Sequence, residues 1–311
     1  MIKKFIAIFA SIMPNIIKIQ LYRLMGYKIG KKVTIKPFTL IIANEVKIGD
    51  NVVIGALNLF KMNKLEIGSN SIIRSLNMII GPKSLIMGKR VQIVGPFTFM
   101  NLAEDIILGD RCGIGSHSIF YTHGVHLPYT EGYPRKFGKI SLGKNVWSPA
   151  HVVFLPGVNI GDNSIIAANS LVNNSFPENS FIAGSPAKII SKASKLKMNM
   201  TPERLNQRMN QILSEFKEDK FLEDAKIKLK KDIMEIRKGK ESFLIKLYFN
   251  EKAEKGKVSN YNEIIVFGEN LPSTNNKKIS LFDLKKRKMT IRGKFAEAFL
   301  EHLGRYGEYF N

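Results

Sequence analysis

The chain has 311 residues, with 48 Lys and Arg against 26 Asp and Glu, a formal charge of +22. At 44% hydrophobic residues it has enough apolar material for a core, which excludes disorder as its main state. Its single cysteine, Cys112, excludes a disulfide framework and a multi-cysteine zinc site, and no apolar run reaches the roughly 18 residues of a spanning helix.

The charge is uneven along the chain. Residues 1–40 carry +8 without a single acid, residues 41–190 carry +4, and residues 191–311 carry +10. Basic ends suit an anionic partner. In residues 1–27, Phe5, Ile6, Ile8, Phe9, Ile12 and Met13 follow Lys3 and Lys4. Pro14 separates them from Ile16, Ile17, Ile19, Leu21, Leu24 and Met25, among which lie Lys18 and Arg23. This reads as an interfacial amphipathic segment whose bases meet anionic head groups. A secretory signal is a rival reading, though no clean small-x-small cleavage site follows. A helix packed on the next domain is the third.

From residue 28 to 190 an aliphatic residue followed by glycine recurs: Ile48-Gly49, Ile54-Gly55, Ile67-Gly68, Ile80-Gly81, Leu108-Gly109, Ile114-Gly115, Leu142-Gly143 and Ile160-Gly161. Leu142, Ser148, Phe154, Ile160, Ile166 and Val172 fall in one six-residue register, with Ser148 the polar exception. A period of six fits neither an amphipathic helix nor an alternating strand. It fits a short strand plus a tight corner, three of which close a triangular coil. Turn residues such as Gly49-Asp50-Asn51 and Gly143-Lys144-Asn145 suit the corner angles. Stacked coils make a parallel β-helix. The register slips between Ile54 and Ile67 and between Ile79 and Leu108, so the early coils are expected to be irregular. Between Phe120 and Leu142 the repeat gives way to a long polar and aromatic loop, the expected place for function.

Residues 191–311 read as a basic α+β extension. Thr201-Pro202-Glu203 starts a helix that continues through Leu205, Met209, Ile212, Leu213 and Phe216. Lys226 to Lys240 reads as a second, basic amphipathic helix with Ile227, Leu229, Ile233, Met234 and Ile236. Phe243–Phe249 and Glu263–Phe267 read as strands separated by a polar turn, Ile279–Phe282 as another strand, and Gly293–Leu303 as a helix. The lysine clusters accompany no nucleic-acid-binding motif, so no nucleic-acid partner is expected.

Four strings carry a family likeness: Ile114-Gly-Ser-His-Ser-Ile-Phe-Tyr-Thr-His123, Leu142-Gly-Lys-Asn-Val-Trp147, Leu155-Pro-Gly-Val-Asn-Ile-Gly-Asp-Asn163 and Ala183-Gly-Ser-Pro-Ala-Lys-Ile-Ile190. Together they resemble the hexapeptide-repeat acyltransferases, in the branch of galactoside, maltose and sugar O-acetyltransferases. The likeness covers about residues 25–190, half of the chain. It implies a mainly β fold, a left-handed parallel β-helix assembled as a homotrimer with sites between subunits. It also implies transfer of an acyl group from a CoA thioester to a hydroxyl or an amine. The stretch from Tyr22 to Ile35 resembles members that modify bacterial surface polysaccharides.

Acyl transfer to a hydroxyl needs a base near neutral pH, and imidazole supplies one. The loop holds two, His123 and His126. The likeness favours His126, followed by Leu127-Pro128, with His123 orienting or binding substrate; the packing of one of them in the loop is the plain alternative. Cys112 lies within a hexad and reads as a small core or corner residue. His117 reads as a corner residue, and His151 lies beside the expected CoA track. The likeness further implies that Asn101 and Trp147 face the acceptor, and Tyr121, Glu131 and Arg135 are loop candidates for sugar hydroxyls. It puts Ser148, Ala150, Asn173, Asn174, Ser185 and Lys188 along CoA, with Lys188 meeting a phosphate. Asn173-Asn174 stands where relatives often have Thr-Lys. A backbone N–H near Ser148–Ala150 would hold the oxyanion. No metal is expected, because the histidines lack a ligand-like spacing.

The resulting expectation is an acetyl-CoA-dependent O-acetyltransferase acting on a carbohydrate acceptor, a cell-surface polysaccharide or its lipid-linked precursor, in the cytoplasm and peripheral to the inner membrane face. An N-acyltransferase on a nucleotide-linked amino sugar and a non-catalytic β-helix scaffold are the alternatives.

Overall fold

The computed structural model describes residues 2–124, 127–230, 233–248, 261–268, 271, 276–284, 286 and 288–304. The chain divides after Lys197 into two compact units.

The first unit opens with two helices, α1 (Ile2–Ile12) and α2 (Asn15–Leu24), split at Pro14 as the sequence predicts. A parallel β-solenoid follows. One sheet stacks Thr34–Ile35, Val53–Ile54, Ile72–Ile73, Gln92–Ile93, Gly113–Ile114, Trp147–Ser148, Ile165–Ile166 and Ser180–Gly184. Its inward column runs Ile35, Ile54, Ile73, Ile93, Ile114, Ser148, Ile166 and Ile182, all buried. A second column, Phe60, Ile79, Met100, Phe120, Phe154 and Val172, pairs residue for residue along another side. Leu65, Leu85, Ile106 and Ile140 line the third. Each inward side chain therefore rests on its counterpart one coil away, about 4.8 Å distant. The early slips of register have a simple cause. Strands Leu40–Ile48 and Leu59–Ile67 run unbroken past a corner, so Ile35, Ile54 and Ile73 recur every 19 residues, whereas Ser148 and Ile166 are 18 apart.

The corners fall on the predicted turn residues, and the strained position within them is specific. At four of these corners positive φ belongs not to the glycine but to the residue two places on: Asn51 (56°), Arg111 (61°), Asn145 (56°) and Asn163 (59°). The glycine answers a different need. A Cβ on Gly49 would stand 2.6 Å from the Ser69 backbone nitrogen, and one on Gly109 would stand 2.6 Å from the Gly143 carbonyl. Coil spacing, not backbone freedom, selects glycine there. The aspartate between them ties the coils together. Asp50, Asp110 and Asp162 accept hydrogen bonds from the Lys31, Lys89 and Lys144 backbone amides at 2.7, 2.8 and 2.7 Å.

The first coil has no coil beneath it, and α2 covers that end. Lys18 Nζ donates to the carbonyls of Ile35 (3.1 Å) and Lys36 (2.9 Å). Asn15 donates to the Val33 carbonyl (3.0 Å) and accepts from the Ile35 amide (2.8 Å). Tyr27 donates to the Ala43 carbonyl at 2.9 Å. Unpaired edge groups are thereby satisfied, as buried backbone requires. Burial lowers the Lys18 pKa and raises that of Tyr22. The packed-helix reading of the N-terminal segment is thus what α2 does, while α1 keeps a large apolar face exposed.

The second unit is α+β. A six-stranded sheet orders Lys226–Lys230, Ile233–Lys238, Glu241–Tyr248, Glu263–Gly268, Ile279–Asp283 and Lys288–Thr290. Helices α3 (Pro202–Phe216) and α4 (Lys294–Gly304) contribute Met209, Leu213, Phe216, Phe295 and Phe299 to its core. Thr201 caps α3 by accepting from the Arg204 amide, as predicted. The predicted helix over Lys226 to Lys240 is instead an antiparallel hairpin, with Leu229 opposite Met234 and Ile227 opposite Ile236. The apolar residues that pair across the two strands also fall at 229, 233 and 236, a spacing that reads as helical in the sequence. Glu241–Tyr248 and Glu263–Gly268 are strands as expected and pair in parallel; Phe249, the predicted end of the first, and the predicted polar turn lie outside the described residues.

Candidate functional site

The loop leaves the solenoid through a neck that Thr122 builds. This threonine is buried, and its hydroxyl donates to the Asn101 carbonyl (2.7 Å) and accepts from the Glu104 amide (2.8 Å). The Gly138 amide donates to the Thr122 carbonyl at 3.0 Å and closes the neck. Directly beyond it, His123–Gly124 pairs antiparallel with Lys136–Phe137. His123 is half-buried, and its Nδ1 is enclosed without a hydrogen-bond partner. Its ring lies 5.8 Å from that of Phe137, and the Arg135 guanidinium lies 4.7 Å over the Phe137 ring. His126, the other base candidate, lies outside the described residues. Glu131 sits in the short turn Tyr129–Glu131 and is exposed.

Asn101 and Tyr121 occupy paired positions on adjacent coils at the foot of the loop. The Tyr121 ring packs edge-on against Phe99 at 5.9 Å. His123 follows Tyr121 by two residues, so Asn101, Tyr121 and His123 form one continuous group. Asn173 and Asn174 lie higher, just after the strand Leu171–Val172, and the Asn174 amide donates to the Asn173 side chain (3.2 Å).

The remaining predicted residues belong to the other parallel sheet or adjoin it. Trp147 is 43% exposed on its outer face, against Gly113, where a Cβ would meet the indole at 2.5 Å. Ser148 points the opposite way. Its hydroxyl is fully buried in the core with no partner, so the side chain cannot reach a ligand outside the solenoid, as the predicted CoA contact would need. Ala150 forms the next corner, and Ser185 and Lys188 lie exposed in the hairpin of Ser180–Gly184 with Ala187–Lys192. One chain thus carries two groups: Asn101, Tyr121, His123, Glu131, Arg135, Asn173 and Asn174 on the first sheet and its loop, and Trp147, Ala150, Ser185 and Lys188 on the second.

Cys112 is buried, its thiol donating to the Gly143 carbonyl at 2.9 Å, and burial pushes its pKa up to about 12. A thiol held protonated at neutral pH is not a nucleophile. His117 and His151 stack in parallel, rings 4.8 Å apart, at one exposed corner beside Phe97. Sequence reasoning missed that stack, although its signal was present: each histidine follows an aligned inward residue, Ile114 or Ser148, by three. It also missed Phe137, Phe99 and Thr122, which hold the loop candidates in place and carry no chemical signature of their own. Among the described residues no group of three or more His, Cys, Asp or Glu gathers as for a metal ion.

Comparison with known proteins bears on this arrangement. Residues 140–174 match the family pattern described as hexapeptide repeat of succinyl-transferase. The chain is 51% identical over 68 residues to galactoside O-acetyltransferase of Escherichia coli, which is 22% of this chain and 34% of that protein. It is 42% identical over 76 residues to a Staphylococcus aureus protein named "putative acetyltransferase", which is 24% of this chain and 38% of that one. The chain therefore spans less than two fifths of the length of these relatives. Among solved structures, AntD, an N-acyltransferase from Bacillus cereus in complex with dTDP and 3-hydroxybutyryl-CoA, is 21% identical, with 66% of this chain and 97% of that chain covered and a TM-score of 0.41. The matched residues 140–174 lie within the solenoid, and residues 198–311 form their own unit.

Proposed function

We propose that this chain is an acetyl-CoA-dependent O-acetyltransferase that acts on a sugar hydroxyl of a bacterial surface polysaccharide or its lipid-linked precursor. The observation that carries the reading is His123 at the root of the projecting loop, with Nδ1 unpaired and with Tyr121 and Asn101 beside it. In this reading a loop histidine, His126 or His123, takes the acceptor hydroxyl proton as the oxygen attacks the thioester carbonyl carbon. The tetrahedral oxyanion collapses, the carbon–sulfur bond breaks, and the same imidazolium returns the proton to the departing CoA thiolate. Glu131 and Arg135 bind the sugar, Trp147 walls the acceptor, and Lys188 meets a CoA phosphate.

The two groups of candidate residues stand on different sheets of one chain, and this supports a site completed by a neighbouring copy. The proposed assembly is a homotrimer in which the loop of one subunit meets the Trp147 and Lys188 side of the next. With acetyl-CoA as donor, the proposed reaction runs in the cytoplasm.

Release of CoA thiol from acetyl-CoA, with a panel of hydroxyl and amino sugars, tests the reading. Acceptor-dependent release with a hydroxyl sugar is expected. His126→Ala or His123→Ala should lower kcat by about 10²–10⁴, and whichever does so names the base. Full activity in both variants overturns the histidine mechanism, and release with amino sugars alone replaces O-transfer by N-transfer.

A further inference from the structure

We propose that α1 docks this protein on an anionic lipid surface. The helix is amphipathic in an inverted sense. Phe5, Ile8, Phe9 and Ile12, at the spacing of one helical face, are each more than half exposed. The enclosed side holds the small Ala7 and Ala10. A surface helix of a globular protein turns its large apolar stripe inward, and this one turns it outward. The face does not hang free. The carbonyl of Ser11, at the end of α1, accepts a hydrogen bond from the Phe38 amide of the first coil at 2.8 Å, so the solenoid fixes how the stripe is presented. The apolar surface continues beyond Pro14 through Ile16, which is 79% exposed.

Charge selects the occupant. No acid precedes Glu45, and Lys4, Arg23, Lys28, Lys31, Lys32 and Lys36 are exposed around the two helices and the first coil. A second copy of this chain would bring the same positive charge against it. An anionic bilayer supplies both an apolar layer for the Phe and Ile side chains and negative head groups for the bases. The length of α1, 11 residues, fits a helix lying in the interface rather than crossing it.

The test is flotation of the purified full chain with vesicles of phosphatidylcholine alone and of phosphatidylcholine with about 30 mol% phosphatidylglycerol. It needs neither acetyl-CoA nor acceptor, so it stands or falls apart from the transfer reaction. At least tenfold more protein is expected on the anionic vesicles at about 0.1 M salt, with most of the gain lost at 1 M. The triple variant Phe5→Ser, Ile8→Ser, Phe9→Ser should lose at least tenfold while keeping the wild-type melting midpoint. If that variant fails to fold, Ile8→Trp in a Trp147→Phe chain decides: its emission should shift to the blue and be quenched by brominated lipid. Absence of flotation, equal flotation on both vesicles, wild-type binding by a folded triple variant, or unquenched emission from the Ile8→Trp chain each overturns the proposal. A change of oligomeric state in the triple variant without vesicle binding assigns the face to a protein contact instead.

Discussion

The two units build their cores by opposite means. In the solenoid, every inward residue meets its own counterpart one coil away: Ile54 rests between Ile35 and Ile73, and Phe120 stacks on Phe154 with ring centroids 4.4 Å apart. In the second unit, Phe216 of α3 meets Phe295 and Phe299 of α4, and Phe299 meets Phe267 and Phe282 of the sheet. These partners come from segments far apart in the chain and follow no period. A periodic core is written in the sequence as a rhythm, whereas a converging core is written only as a set of apolar residues.

That contrast can be broken by measurement. Phe299→Ala removes a side chain held by three other rings, and a loss of about 3–5 kcal/mol in urea unfolding is expected; a loss under about 1.5 kcal/mol would mean that the converging cluster closes over the gap. Ile93→Ala, between Ile73 and Ile114, should cost about 2–4 kcal/mol. A similar loss from Ile54→Ala would show that the columns are equivalent from coil to coil. Ser148 sharpens the point from the other side. Its hydroxyl interrupts the isoleucine column without a partner, so Ser148→Ala should stabilise by about 1 kcal/mol. A destabilised variant would reveal that the hydroxyl is used.

The smallest effect concerns the covered end of the solenoid and is read against pH. Lys18 has its pKa lowered by burial, so below 10.5 the unfolded chain binds the proton more readily, and stability rises as pH climbs from the lowered value toward 10.5. Tyr22 has its pKa raised by burial, so its contribution is whole below 10 and is lost as pH rises beyond it. Cys112, its pKa also raised by burial, loses its contribution from pH 9 upward and offsets the Lys18 rise there, so unfolding free energy measured from pH 8 to 12 should fall beyond pH 10. Lys18→Met should flatten the rise, and Tyr22→Phe should soften the fall while changing stability at neutral pH by under about 1 kcal/mol, since its hydrogen bond to the Thr39 carbonyl is long at 3.5 Å.

Much of the candidate site was legible for the same reason as the solenoid. The break in the hexad register between Phe120 and Leu142 marked the loop, and the structure roots it there on Thr122 and Gly138. The register also told which way Ser148 points, since it shares the phase of Leu142 and Phe154, both buried. What stayed hidden were contacts between residues of different coils at outward positions. Gly113 reads as one more small residue until Trp147 lies on it, and His117 and His151 are 34 residues apart until the coils stack them.

The sequence by itself determined the solenoid, because a repeat that places each apolar residue over its like has one way to bury all of them. It determined the end of α1 at Pro14 and the start of α3 at Thr201, because ring geometry and amide capping are local. Tertiary structure decided the rest. The hairpin from Lys226 to Lys238 exists because its strands pair with each other and with Glu241–Tyr248, and isolated helical spacing cannot outweigh a buried sheet face. The parallel pairing of Glu241–Tyr248 with Glu263–Gly268, the burial of Lys18 under the first coil, and the outward turn of Phe5, Ile8, Phe9 and Ile12 were likewise settled by which surfaces meet. Local preference names an element, and only its neighbours decide which of its faces is inside.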